Sequence, residues 1–221
     1  MIDTIIALAR KELGTVEFPP NSNKVKYNTA YYRGAVSGPQ YAWCAVFIWW
    51  LFQQAGCPEL YYNGCKCAYV PELVAWAKRK DLLVKEPKPG DLICFDFNGN
   101  GTADHIGLCT GKTNRLVHTI DGNTGVGNEA NGGAVMQRSR DRKYIAAVIR
   151  PRYEEVENMT DEKFDEMMQR WLAKQAGKKP TATWQKEGLA RAKAAGVTDG
   201  SNPMGLCTRL EAAIMAANAT K

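Results

Sequence analysis

The run Gln40–Phe52, QYAWCAVFIWWLF, limits the possible folds of this chain more than any other stretch. From Ala45 to Phe52 every residue is apolar, so a helix formed here has no polar side to turn to water and must be enclosed by protein. A bilayer is not the alternative, because a span needs about 20 apolar residues. The fold must therefore supply other elements to cover this helix. One reactive residue, Cys44, opens the run just after a loop rich in Gly, Pro and Asn. A thiol at a helix N-terminus meets unpaired N–H groups and a partial positive charge, which favour an anion and suit a nucleophile. The competing reading is a small apolar residue in a core helix.

The surrounding sequence predicts an α+β fold. Met1–Gly14 carries Ile2, Ile5, Ile6, Leu8, Ala9 and Leu13 mostly on one helical face and reads as a structural helix rather than a signal peptide. Gly14–Pro39 reads as a long irregular segment. A second helix is expected over about Val70–Lys80, with Pro71 in its first turn and Leu73, Val74 and Trp76 facing the core. After the PKPG turn come five β-like runs, Asp91–Phe97, His105–Gly111, Arg115–Asp121, Gly132–Ser139 and Tyr144–Arg150, separated by Gly/Asn turns. Helices first and an antiparallel sheet second define a domain over residues 1–152. Residues 153–221 read as a small three-helix module: one helix from Thr160 to about Ala176, one over about Ala182–Ala195, and a last one opened by the capping box Thr208/Glu211.

A cysteine nucleophile needs a base, and the base usually needs an orienting partner. The chain has only two histidines. His105 starts a strand two residues before Gly107, where substrate backbone could approach closely; His118 lies inside a strand, where a structural imidazole is the default. His105 is therefore the expected base. The end of the next β run, IDGNTG, offers Asp121 and Asn123 as the orienting pair. Backbone N–H of Cys44, helped by Tyr41 or Gln40, is the expected oxyanion donor, with Tyr41 and Trp43 lining the substrate groove and Trp49 and Trp50 in the core.

These pieces together, YAWCAVFIWW, PGDLICFDFNGNGTADHIGL and TIDGNTG, resemble the CHAP family of cysteine, histidine-dependent amidohydrolases/peptidases over residues 1–150. The resemblance implies a papain-like fold and cleavage of bacterial peptidoglycan. Cys44 would be the nucleophile, His105 the base, and the acidic-Gly-Asn turn would orient it. Because the family often has Glu at position 121, the shorter Asp121 ranks below Asn123. The module at 153–221 resembles surface-layer-homology-type wall-binding segments, through Trp184–Gly196, the DGSNP turn and TRLE; an oligomerisation bundle is the other reading.

The expected function is that of an endolysin or autolysin, acting as N-acetylmuramoyl-L-alanine amidase or peptide endopeptidase. The alternatives are a papain-like protease or deamidase acting on protein, and a non-catalytic wall-binding protein. The expected partners are peptidoglycan and associated wall polymers. A net charge of +6, carried mainly by residues up to Arg150 (18 basic against 13 acidic, then 11 against 10), suits such polyanions. No nucleic-acid motif and no membrane insertion are expected, and the oligomeric state is left open. With no signal peptide read at the start, the protein is expected to be cytoplasmic when made and to reach the wall through a separate pore.

No cofactor and no metal are expected. Seven cysteines in an odd count argue against a disulfide framework, and Cys57, Cys65 and Cys67 contain no CxxC pair for zinc. Asp96, Asn98, Asn100 and Asp104 have the oxygen spacing of the first half of a calcium loop, but Gly107 stands where the bidentate Glu would be. The simpler reading is a glycine-rich hairpin loop.

Overall fold

In a computed structural model of the chain, the described residues are 1–153, 165–166, 168–172 and 183–196. The chain divides into two units, Met1–Glu157 and Asn158–Lys221. In the second unit, Thr183–Ala194 is a helix. The capping box Thr208/Glu211, the last helix and most of the first one expected there lie outside the described residues.

The first unit is an α+β domain. Helices α1 (Ile2–Lys11), α2 (Lys26–Tyr32), α3 (Cys44–Gln54) and α4 (Val70–Arg79) precede strands β1 (Leu83–Val84), β2 (Leu92–Phe95), β3 (His105–Lys112), β4 (Leu116–Thr124), β5 (Ala134–Asp141) and β6 (Ile145–Ile149). The strands form one antiparallel sheet in the order β1-β6-β2-β3-β4-β5. No helix among the described residues is long and apolar enough to cross a membrane, and all described cysteines are free.

Alternation along the strands sends one set of side chains to the helices and the other to the opposite face. Leu92, Cys94, Ile106, Leu108 and Ile120 join α1, α3 and α4 in the main core, whereas Ile93, Phe95, Cys109, Val117 and Val148 form a second cluster. Helix α3 sits at the centre of the main core, with every residue from Cys44 to Trp49 buried, as its apolar sequence demands. Gly56, at φ +71°, turns the chain just beyond its C-terminus.

Two elements were not anticipated. The segment read as irregular contains α2, KYNTAYY, in which Tyr27, Asn28, Thr29, Tyr31 and Tyr32 are all weak helix formers by propensity. Burial of Tyr27, Asn28 and Tyr31 against α3 and its neighbours decides instead. Strand β1 is only two residues long, too short for a periodic signal, and pairs with β6 at the sheet edge.

Candidate active site

The position of Cys44 follows from how α3 meets β4. Gly122 has no side chain where a Cβ would stand 2.5 Å from Phe47 and 2.8 Å from Trp43, so the first turn of α3 rests directly on the strand. Asp121 is the residue before Gly122 in β4, and His105 starts the adjacent strand β3. Cys44 is the first residue of α3 and 4% exposed.

His105 and Asp121 are both fully buried, with His105 Nε2 3.0 Å from Asp121 Oδ2. The other ring nitrogen, Nδ1, is buried and has no hydrogen-bond partner among the described residues. The Cys44 thiol stands beside the ring and acts on it electrostatically. Burial alone would push the imidazole pKa down. The hydrogen bond to Asp121 and the neighbouring Cys44 outweigh that and raise it to about 9. Burial likewise opposes ionisation of Asp121, but His105 and Arg140 overcome it and hold the carboxyl below its ordinary range.

The sequence ranks Asn123 above Asp121, but the hydrogen bond to His105 comes from Asp121, and Asn123 bonds elsewhere. Register shifts between Asp121 and Thr124, and Asn123 adopts φ +56°. Its amide donates to Asn131 Oδ1 at 2.9 Å and accepts from the Gly133 N–H at 3.3 Å, closing the β4–β5 loop. The shorter Asp121 reaches the imidazole after all, because β3 and β4 are adjacent here.

Gly107 also has another role than the one expected. A Cβ there would lie 2.0 Å from Asp121 Oδ1 and 2.7 Å from its Cγ, so the glycine makes room for the carboxylate, not for substrate backbone.

The aromatic residues before Cys44 separate into two groups. Trp43 is completely buried and stacked on Tyr27 at 5.4 Å, which removes it from any substrate surface. Trp49 is buried and Trp50 packs against the core. Tyr41 is partly exposed, in a turn of 3-10 helix, with its ring edge-on to Tyr32 at 5.0 Å; Gln40 is exposed beside it. This turn is held from behind by Asn28 of α2, whose amide donates to the carbonyls of Tyr41 (2.8 Å) and Asn23 (2.7 Å). Reading residues 14–39 as irregular hid Asn28, and nothing in its local sequence marks it.

His118 hydrogen-bonds Ser139 through Nδ1 at 2.8 Å on the neighbouring strand, away from this cluster. The loop between β2 and β3 uses its own oxygens. Asp96 accepts from the N–H groups of Gly99 and Gly101, Asn98 from Asn100, Asn100 from Thr102, and Asp104 from Phe97 N–H and the Asn98 amide. Among the described residues no group of three or more His, Cys, Asp or Glu is placed to hold a metal ion.

Behind Asp121 lies a residue the sequence did not single out. Arg140 of β5 donates from Nη1 to the same Asp121 Oδ2 at 2.5 Å, with its side chain 5% exposed.

A buried Cys–His–Asp arrangement of this kind can carry out nucleophilic acyl transfer: a sulfur to attack, an imidazole to move the proton, and a carboxylate to hold the ring. No curated protein matches the chain. Residues 36–123, which include Cys44, His105 and Asp121 and stop short of Arg140, match the family model of the CHAP domain, whose members are typically cysteine, histidine-dependent amidohydrolases or peptidases.

Proposed function

We propose that the protein is a peptidoglycan hydrolase that cleaves an amide bond through Cys44 and His105, with Asp121 as the orienting acid. The observation that carries this reading is the buried His105, held by Asp121 through Nε2 and leaving Nδ1 unpaired beside Cys44. The Cys44 thiol gives its proton to His105 as the sulfur attacks the amide carbonyl, and the oxyanion that forms is met by the Cys44 N–H, which as the first of α3 has no acceptor within the helix. Protonated His105 gives its proton to the leaving amine, breaking the C–N bond and leaving a thioester. Neutral His105 then takes a proton from water, whose oxygen attacks the thioester and releases the carboxylate, restoring thiol and imidazole. Tyr41, on the partly exposed turn ahead of Cys44, contacts the substrate.

The role is that of an endolysin or autolysin, with the basic balance of residues 1–150 drawing the enzyme to anionic wall polymers. The bond is the one joining muramic acid to L-alanine or one within the peptide. Digestion of purified peptidoglycan by wild type and Cys44→Ala, with products identified by mass, tests the reading and the bond together. New lactyl ends on the amino sugar define an amidase, and new peptide amines and carboxylates define an endopeptidase. Equal product from both proteins refutes the assignment. The module beyond residue 152 is proposed to bind the wall, so its deletion lowers co-sedimentation with purified cell walls.

A further inference from the structure

Arg140 contributes more to the cluster than its contact with Asp121. Its guanidinium carbon lies 5.0 Å from the centroid of the Phe95 ring and 5.2 Å from that of Phe97, and the His105 ring lies 6.4 and 5.9 Å from the same two rings. The two cationic groups thus share one aromatic wall and converge on one carboxylate oxygen, Asp121 Oδ2. The remaining donors of Arg140 are also used. Nη2 reaches Thr124 Oγ1 at 3.1 Å, Nη1 reaches Thr119 Oγ1 at 3.4 Å, and Nε reaches Glu129 Oε2 at 3.1 Å. Glu129, on the β4–β5 loop, also pairs with Arg138. The groups facing this cluster therefore come from five places: Cys44 from α3, His105 from β3, Asp121 from β4, Arg138 and Arg140 from β5, and Glu129 from the loop. From His105 through Asp121 and Arg140 to Glu129 they form a chain in which cationic groups alternate with anionic ones.

A guanidinium buried this completely and bonded on every side is expensive to desolvate, and hydrophobic packing would close the space as well. Its geometry gives it two effects that packing would not. A fork held by two threonine hydroxyls and a glutamate fixes the rotation of the Asp121 carboxylate, so that Oδ2 rather than Oδ1 faces the imidazole. Its charge on that same oxygen offsets part of the negative field that would otherwise stabilise the imidazolium.

We infer that Arg140 is a positioning residue of the Cys44–His105–Asp121 site, which acts through Asp121 to fix the orientation of His105 and to set the pH range over which its imidazole carries a proton. The inference rests on the proposed catalytic role of Cys44 and His105, but its test does not require turnover. With two histidines in the chain, the imidazole resonances of His105 can be assigned by NMR in a His118→Asn background and titrated in Arg140→Met, Arg140→Lys and Glu129→Gln. Arg140→Met removes the opposing charge, so the His105 pKa rises by about one pH unit or more. Arg140→Lys keeps the charge and stays close to wild type. Glu129→Gln, at a partly exposed site, leaves Arg140 uncompensated and lowers the value. In activity, the alkaline limb of kcat/KM moves in the same directions. The inference is overturned if Arg140→Met titrates His105 within a few tenths of a unit of wild type; should that variant not fold, an unchanged value in Glu129→Gln overturns it. A wild type without peptidoglycan activity would refute the proposed function and leave the titration to be read on its own.

Discussion

Asp121 Oδ2 lies 3.0 Å from His105 Nε2 with both side chains at 0% exposure, whereas Asn123, two residues further along β4, turns away to bind Asn131 and Gly133. The register shift in β4 puts these two neighbours to different uses: the carboxylate holds the imidazole, and the amide holds the loop.

The two substitutions therefore give opposite signatures. Asp121→Asn removes the charge that stabilises the imidazolium and is expected to lower kcat on the order of a hundred-fold or more. Asn123→Ala removes two hydrogen bonds at a residue with φ +56° and is expected to cost about 1–3 kcal/mol of stability, with kcat/KM changed only a few-fold in the folded protein. Denaturant melts and steady-state kinetics on both variants check this. A folded Asn123→Ala with kcat as low as Asp121→Asn would return the orienting role to the amide.

The pH dependence follows from His105 and Asp121 in opposite directions. His105 is raised in the folded protein from its ordinary 6.5 to about 9, so the stability it contributes is complete below 6.5 and is lost as pH rises through about 9. Asp121 is lowered, so its contribution is present above its ordinary 3.8 and is lost as pH falls through its lower folded value. Melting temperature is expected to hold a plateau between these limits. In the proposed mechanism the leaving amine takes its proton from His105, so kcat/KM is expected to fall with an alkaline limb near 9. A limb near 6.5 would show that Asp121 and Cys44 do not hold the imidazolium.

The parts of this architecture that were legible in the sequence are those with their own local signal. Helix α3 announces itself by eight apolar residues in a row, and β2 to β6 by alternation between Gly/Asn turns. The order Cys44, His105 and then the Asp121–Asn123 stretch was legible because the chain has only two histidines and one cysteine opens an apolar helix. What was not legible depended on tertiary distances. Whether position 121 or 123 meets His105 is decided by a bulge, Trp43 is drawn inward by the bare backbone of Gly122, and Arg140 meets Asp121 only through the pairing of β4 with β5. None of these is a property of the residues nearby in sequence.

The aromatic residues beside Cys44 separate stability from substrate contact. Trp43→Ala deletes a fully buried ring stacked on Tyr27 and packed against Gly122, and is expected to cost about 3–5 kcal/mol. Tyr41→Ala removes a partly exposed ring and is expected to leave the melting temperature nearly unchanged while raising KM for peptidoglycan several-fold. An unchanged KM in the folded Tyr41→Ala protein would remove Tyr41 from the substrate surface.

The loop Asp96–Asp104 resembles a calcium loop only in spacing. Its carboxylates and amides satisfy the loop's own N–H groups, and those of Gly101 and Gly99 hold the Asp96 carboxyl below its ordinary value against the opposing effect of burial. Melting temperature is expected to be the same in calcium and in a chelator; a rise of several degrees with calcium would show that these oxygens bind the cation.

Gly107 provides the most local test of the His105–Asp121 contact. A methyl group in its place would meet Asp121 Oδ1 at 2.0 Å and Thr119 Cβ at 3.1 Å. The carboxylate cannot simply retreat, because Oδ2 is held by both His105 and Arg140. Gly107→Ala is therefore expected to cost about 1–3 kcal/mol by overpacking and to lower kcat as Asp121 is displaced from the imidazole. Gly111→Ala, on the same strand, has its nearest neighbour at 3.9 Å and serves as the control, with stability and kcat close to wild type. Equal behaviour of the two variants would mean that the contact tolerates displacement and that His105 is oriented by something other than Asp121.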